Sequence, residues 1–125
     1  MAATIRLKWV YEPASPEDGK RILVDRLWPR GMTKEKVDIV YWAKAISPSN
    51  DLRKWYGHDP ERWDEFRDRY YSELHANPDG LQALLEHLGA GDVTFLYSSK
   101  EHRINNAVAL RDYVLPMLRK KRKVS

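Results

Sequence analysis

A chain of 125 residues that is 42 % hydrophobic and 32 % charged has the size and composition of one soluble globular domain. It holds no cysteine, which excludes disulfides, thiolate catalysis and cysteine-ligated zinc, and no apolar run approaches the roughly 20 residues of a membrane span. The net charge of +4 sits at one end: taking away the five cations Arg119, Lys120, Lys121, Arg122 and Lys123 leaves −1.

In chain order, Met1 to Arg6 lacks the apolar core of a signal peptide, so the expected location is cytoplasmic. Ile5, Leu7 and Trp9 alternate with Arg6, Lys8 and Val10, the period-two pattern of a half-buried strand. Tyr11 to Gly19, with two prolines and a closing Asp-Gly, reads as a loop. Arg21 to Asp25 is the second strand, and its run Ile22-Leu23-Val24 suits a strand covered on both faces. Thr33 is placed to cap a helical turn over Lys34 to Lys36. Val37 to Ala45 is readable either way: β-branched and aromatic residues favour a strand, whereas Ile39, Trp42 and Ala43 fit helical spacing.

After the break at Ser47-Pro48-Ser49, a short helix is predicted over Asp51 to Tyr56, stopped by Gly57. Asp59 and Pro60 begin the next helix, whose Trp63, Phe66, Tyr70 and Leu74 form one aromatic stripe. Asn77-Pro78-Asp79-Gly80 ends it, and Leu81, Leu84, Leu85 and Leu88 mark another amphipathic helix. Val93 to Tyr97 is a third strand. Ser98 or Ser99 is the expected cap of the final helix, which Pro116 should kink or end. Strands alternating with helices predict an α/β fold: a single small domain over residues 1–118 with a mainly parallel central sheet flanked by helices, and a basic C-terminal tail over 119–125.

Such sheets bind ligands outside the carboxyl ends of their strands. Three groups of residues are candidates there. Asp25-Arg26-Leu27-Trp28-Pro29-Arg30-Gly31 puts two guanidinium forks beside an indole and a rigid turn, a combination suited to phosphate or carboxylate. Paired to Asp25 or to the acidic helix, the same arginines would be structural. Gly57-His58-Asp59 places His58 ahead of a helix, as an acid, base or hydrogen-bond donor, with Trp55 nearby as a wall. Ser98-Ser99-Lys100-Glu101-His102 and Asn105-Asn106 supply a cation and neutral donors. Ser98 lacks the flanking glycines of a nucleophile elbow. There is no Walker-type or dinucleotide fingerprint, and the four histidines have no metal-ligand spacing, so neither cofactor nor metal is called for.

Leu23 to Gly31 (LVDRLWPRG) resembles the hallmark of the YeaO-like family, within the proteins called domain of unknown function 488. Asp51 to Trp63 and Val93 to Leu110 resemble it in the same order and spacing. The resemblance covers nearly the whole chain and implies a small cytoplasmic α/β protein with no established activity. Family members often carry Lys-Asp and a histidine before the Asn, where this chain has Lys100-Glu101 and Ile104.

The expected function is binding of an anionic small molecule, with or without catalysis. Arg26, Trp28, Arg30, Gly31, Trp55, Lys100, Asn105 and Asn106 would form the site, and His58 would be its acid–base group. Two other classes stand beside it: a nucleic-acid-associated or regulatory module using the basic tail, and a structural or interaction protein. None of the three calls for a membrane partner.

Overall fold

The computed structural model describes residues 5–89 and 91–124, the last six of these as backbone alone, and the VTFLY strand lies at its centre. Four strands among these residues, β1 (Ile5–Trp9), β2 (Lys20–Leu23), β3 (Tyr41–Trp42) and β4 (Val93–Tyr97), form one parallel sheet in the order β1-β4-β2-β3. All five residues of β4 are buried, as befits a strand flanked on both edges and covered on both faces. The fold class is therefore the α/β arrangement that the alternation of elements implies.

The two faces differ in kind. Ile5, Ile22, Val24, Phe95 and Tyr97 belong to the larger core, which is closed by helices α2 (Asn50–Tyr56), α3 (Trp63–His75), α4 (Pro78–His87) and α5 (Asn106–Val124). Phe66, Tyr70 and Leu74 of the α3 stripe are buried there, and Trp63 is half-buried beside them. The other face holds a smaller apolar group, Val10, Leu23, Val37 and Leu96, with Trp28 and Trp42 packed on it. The rest of this second face is polar. Arg21, only 3 % exposed, donates to Asp18 Oδ2 at 2.6 Å and to the Val37 carbonyl at 3.0 and 2.8 Å. Lys8 Nζ reaches the same carboxylate at 3.0 Å. Burial disfavours the Asp18 charge, but the Ser15 amide, Lys8 and Arg21 outweigh it and hold the carboxyl at about 2.

Local signals set most element ends. Thr33 Oγ1 accepts from Lys36 N and starts α1 (Lys34–Val37), and Ser49 Oγ accepts from Leu52 N and starts α2. Gly57, at φ 52°, stops α2. Asp59 and Pro60 first make a 3-10 turn, Pro60–Arg62, from which α3 follows. Ala76 closes α3, and Asn77 caps α4, its side chain accepting from Gly80 N at 3.1 Å. The ambiguous stretch from Val37 resolves into neither long element. Asp38 turns the chain at φ 49°, β3 contributes two residues, and a 3-10 turn runs over Lys44–Ile46.

Two expectations are corrected at the last helix. Neither Ser98 nor Ser99 caps it: α5 begins at Asn106, and Asn105 Oδ1 accepts from Val108 N at 3.1 Å. Pro116 does not end it either, because α5 continues to Val124. The boundary expected at residue 118 thus falls inside a helix.

Candidate functional site

β2 and β4 run side by side with Leu23 opposite Leu96, so the chain leaves both strands at neighbouring points. Asp25 stitches the two exits together. Its Oδ2 accepts from the Ser98 amide at 2.8 Å and from the Ser98 hydroxyl at 2.7 Å, and its Oδ1 from Asn106 Nδ2 at 3.0 Å. Asn106 Nδ2 also donates to the Val24 carbonyl at 2.8 Å, and Trp42 Nε1 to the Asp25 carbonyl at 2.7 Å. One carboxylate thereby joins the end of β2, the end of β4 and the start of α5. Sequence reasoning treated Asp25 only as a partner for the arginines. The signal for its role was an acid immediately after an aliphatic strand.

The two arginines of the heptad part company. Arg26 turns its fork to backbone, with Nε 3.0 Å from the Pro48 carbonyl and Nη2 2.9 Å from that of Ser47. It anchors the turn ahead of α2, and its partners are carbonyls where a carboxylate was expected in the structural reading. The Arg30 guanidinium is exposed and has no hydrogen-bond or ion-pair partner among the described residues. Its backbone carbonyl accepts from Tyr11 Oη at 3.2 Å. Trp28 staples the intervening turn: Nε1 donates to the Met32 carbonyl at 2.8 Å, and the ring meets Trp42 edge-on at 5.5 Å. Gly31, at φ 78°, serves that turn's conformation.

These groups open on a cleft of about 940 Å³. It gathers Arg26, Trp28, Arg30, Lys100, Asn105, Asn106 and His58 from the sequence-predicted set, and adds Asp25, Tyr11, Tyr56 and Arg53. Gly31 and Trp55 are not in its lining. Trp55 lies instead under two guanidinium groups, with Arg69 at 4.3 Å and Arg62 at 5.3 Å from its ring centre. Arg53 is the cation that sequence reasoning missed. It looks like one more charge on a short amphipathic helix, and only the fold brings it to the cleft.

The loop from Ser98 to Asn105 is internally braced, with Ser99 Oγ accepting from Glu101 N at 3.1 Å and Asn105 Nδ2 donating to the Glu101 carbonyl at 2.8 Å. Tyr56 Oη fastens α2 to this loop through the Ile104 carbonyl at 2.9 Å. Burial first, then the charges of Glu101 and Asp59, push the Tyr56 hydroxyl up to about 12, so it remains a donor at neutral pH. His102 faces elsewhere: its Nδ1 lies 2.7 Å from Tyr97 Oη and its ring edges onto Trp9. His58 is exposed at φ 58°, a left-handed conformation unusual for a side-chain-bearing residue.

Chemically, the arrangement offers cations and hydrogen-bonding groups. Lys100, Arg30 and Arg53 all line the cleft, and none has a carboxylate partner among the described residues. The Ser98 hydroxyl donates to Asp25 and has no histidine as hydrogen-bond partner among the described residues, unlike an activated nucleophile. Among the described residues no three His, Asp or Glu side chains gather as a metal site, and no helix is long and apolar enough to cross a membrane.

A family model described as the inactive DUF488-N3 subclade matches residues 4–125. The uncharacterised protein YeaO of Escherichia coli is 39 % identical over 110 residues, covering 88 % of this chain and 96 % of that protein. Uncharacterised proteins of Mycobacterium tuberculosis and Mycobacterium bovis are 51 % identical over 71 residues, or 57 % of this chain. The match spans 60 % of the length of those mycobacterial relatives. No solved structure matches the chain.

Proposed function

The chain belongs to the YeaO-like DUF488 family, and on that premise we propose that it binds a small anionic ligand in the cleft at the ends of β2 and β4. One observation carries the proposal. Arg30, Arg53 and Lys100 line the same cleft without carboxylate partners among the described residues, while the lining carboxylates are otherwise engaged. Asp25 accepts from Ser98 and Asn106, and Glu101 accepts from Arg103 N at 3.2 Å. A phosphate or carboxylate group would supply the missing counter-charge, and guanidinium forks grip such groups with paired hydrogen bonds.

The matching subclade is described as inactive, which favours binding over turnover. In this reading His58 is a hydrogen-bond donor to the ligand, with its acid–base capacity held in reserve. The test compares wild type with Arg30→Ala in a thermal-shift screen of inorganic phosphate and simple carboxylates. Stabilisation of wild type that is lost in the variant is the expected result; equal stabilisation of both proteins would sink the reading.

A nucleic-acid reading draws on the five consecutive cations Arg119 to Lys123, which the backbone of α5 carries within its helix. It predicts salt-sensitive DNA or RNA binding that survives Arg30→Ala and disappears when residues 119–125 are removed.

A further inference from the structure

The cleft changes character with depth, and this difference points to a class of ligand. Three of its cations, Arg30, Arg53 and Lys100, are exposed and form the rim, while the half-buried Arg26 is turned to the Ser47 and Pro48 carbonyls. Asp25 and Asn106 are half-buried and form the floor. An ionised carboxylate offers about four acceptor positions, and Asp25 uses three of them on Ser98 and Asn106. The two Asn106 donors are spent on Val24 and Asp25, so its amide oxygen has no partner among the described residues. The floor thus keeps one acceptor position on Asp25 and the amide oxygen of Asn106. It repels anions and receives hydroxyl or amino hydrogens, whereas the rim does the reverse.

The cleft is also lined by the rings of Tyr11, Trp28, Tyr56 and Phe66. The volume of about 940 Å³ is that of a site for a sizeable organic molecule. An inorganic anion held at the rim would leave both the ring-lined walls and the acceptors uncontacted.

Resting on the anion-binding reading of the same site, the geometry points to a phosphorylated sugar, free or within a nucleotide, bound with its phosphate at Arg30, Arg53 and Lys100 and its hydroxyl groups on Asp25 and Asn106. The sugar supplies several donors on a compact frame, and the phosphate supplies the charge that the rim lacks. A nucleotide adds a planar base for the aromatic walls, so the two sources share the same polar recognition and differ in stacking.

Calorimetric titration of wild type with inorganic phosphate, phenyl phosphate, ribose 5-phosphate and a nucleoside monophosphate tests this. Phenyl phosphate has the charge and a ring but no hydroxyl group to give the floor. At least one of the two sugar phosphates should bind about tenfold tighter than phenyl phosphate, the effect of one or two well-made hydrogen bonds. A further gain for the nucleotide over ribose 5-phosphate would identify the nucleotide as the source. Asp25→Asn should shrink the sugar-over-phenyl ratio while phosphate binding persists. If that variant does not fold, the ratio in wild type still decides. Phenyl phosphate binding as tightly as both sugar phosphates overturns the inference and leaves the anion-binding reading standing; no binding of any phosphate overturns both.

Discussion

Asp25 holds Ser98 twice through a single oxygen, at 2.8 Å to the amide and 2.7 Å to the hydroxyl, and so ties the exit of β2 to the exit of β4. Asp25→Ala would strand the Ser98 amide and leave Asn106 held only by the Val24 carbonyl. The expected loss is about 2–3 kcal/mol in urea denaturation, because hydrogen bonds to charged groups are lost while partners stay partly buried. Ser98→Ala, which removes only the hydroxyl bond, should cost about 1 kcal/mol. Equal costs would show that the carboxylate is not the hub.

Arg26 and Arg30 sit four positions apart in one signature, yet they should fail in opposite ways. Arg26→Ala removes donors from the Ser47 and Pro48 carbonyls and should lower stability by about 1.5–3 kcal/mol. Arg30→Ala removes an exposed guanidinium that has no partner among the described residues and should change stability by no more than about 0.5 kcal/mol. Parallel denaturation curves check this directly.

The acid limb of the stability profile should report Asp18. Its carboxyl is held at about 2, against 3.8 for the ordinary group, despite burial and because of the Ser15 amide, Lys8 and Arg21. A depressed carboxylate stabilises the fold at pH values above its unfolded value, and that stability is lost as pH falls through the folded one. About 2 kcal/mol should therefore disappear between roughly pH 4 and pH 2, since a tenfold change in proton affinity is worth about 1.36 kcal/mol. Asp18→Asn should be less stable at neutral pH and should flatten this limb. Denaturation midpoints measured across that range would show it.

Gly19→Ala should be among the most damaging conservative changes. Its φ of 63° disfavours any side chain, and an added Cβ would lie 2.2 Å from the Asp92 carbonyl oxygen, which is backbone and cannot swing aside. A loss of about 2 kcal/mol or more is expected in thermal or urea unfolding. Gly31→Ala shares the positive φ but meets nothing within 4 Å, so the difference between the two variants isolates the steric cost.

The strands with aliphatic runs and the helices with sharp caps were legible because local chemistry decides them. Ile22-Leu23-Val24, VTFLY, Thr33 and Gly57 each carry their signal within a few residues. The stretch from Val37 to Ala45 was ambiguous because its strand is only two residues long and is defined by pairing with distant β2. The cap of α5 was misread because Ser98 has the right side chain for capping but is claimed by Asp25, 73 positions earlier in the chain. The site followed the same division. A cleft beyond the ends of β2 and β4 could be expected from the strand ends, whereas the inward duty of Arg26, the arrival of Arg53 and the withdrawal of Trp55 all depend on contacts between separate elements.

The order β1-β4-β2-β3 also carries a consequence for synthesis. β1 and β2 do not pair with each other; each takes β4 as its neighbour, and β4 is translated long after both. Until Val93 to Tyr97 leaves the ribosome, the two earlier strands have no shared seam, and Ile22-Leu23-Val24 lacks the partner that covers its edge. The nascent chain must therefore carry this adhesive segment with one edge unpaired, β3 covering only the other, through most of its manufacture, a state that invites chaperones or aggregation. Chains halted ahead of β4 should be removed by proteases, while the finished protein survives.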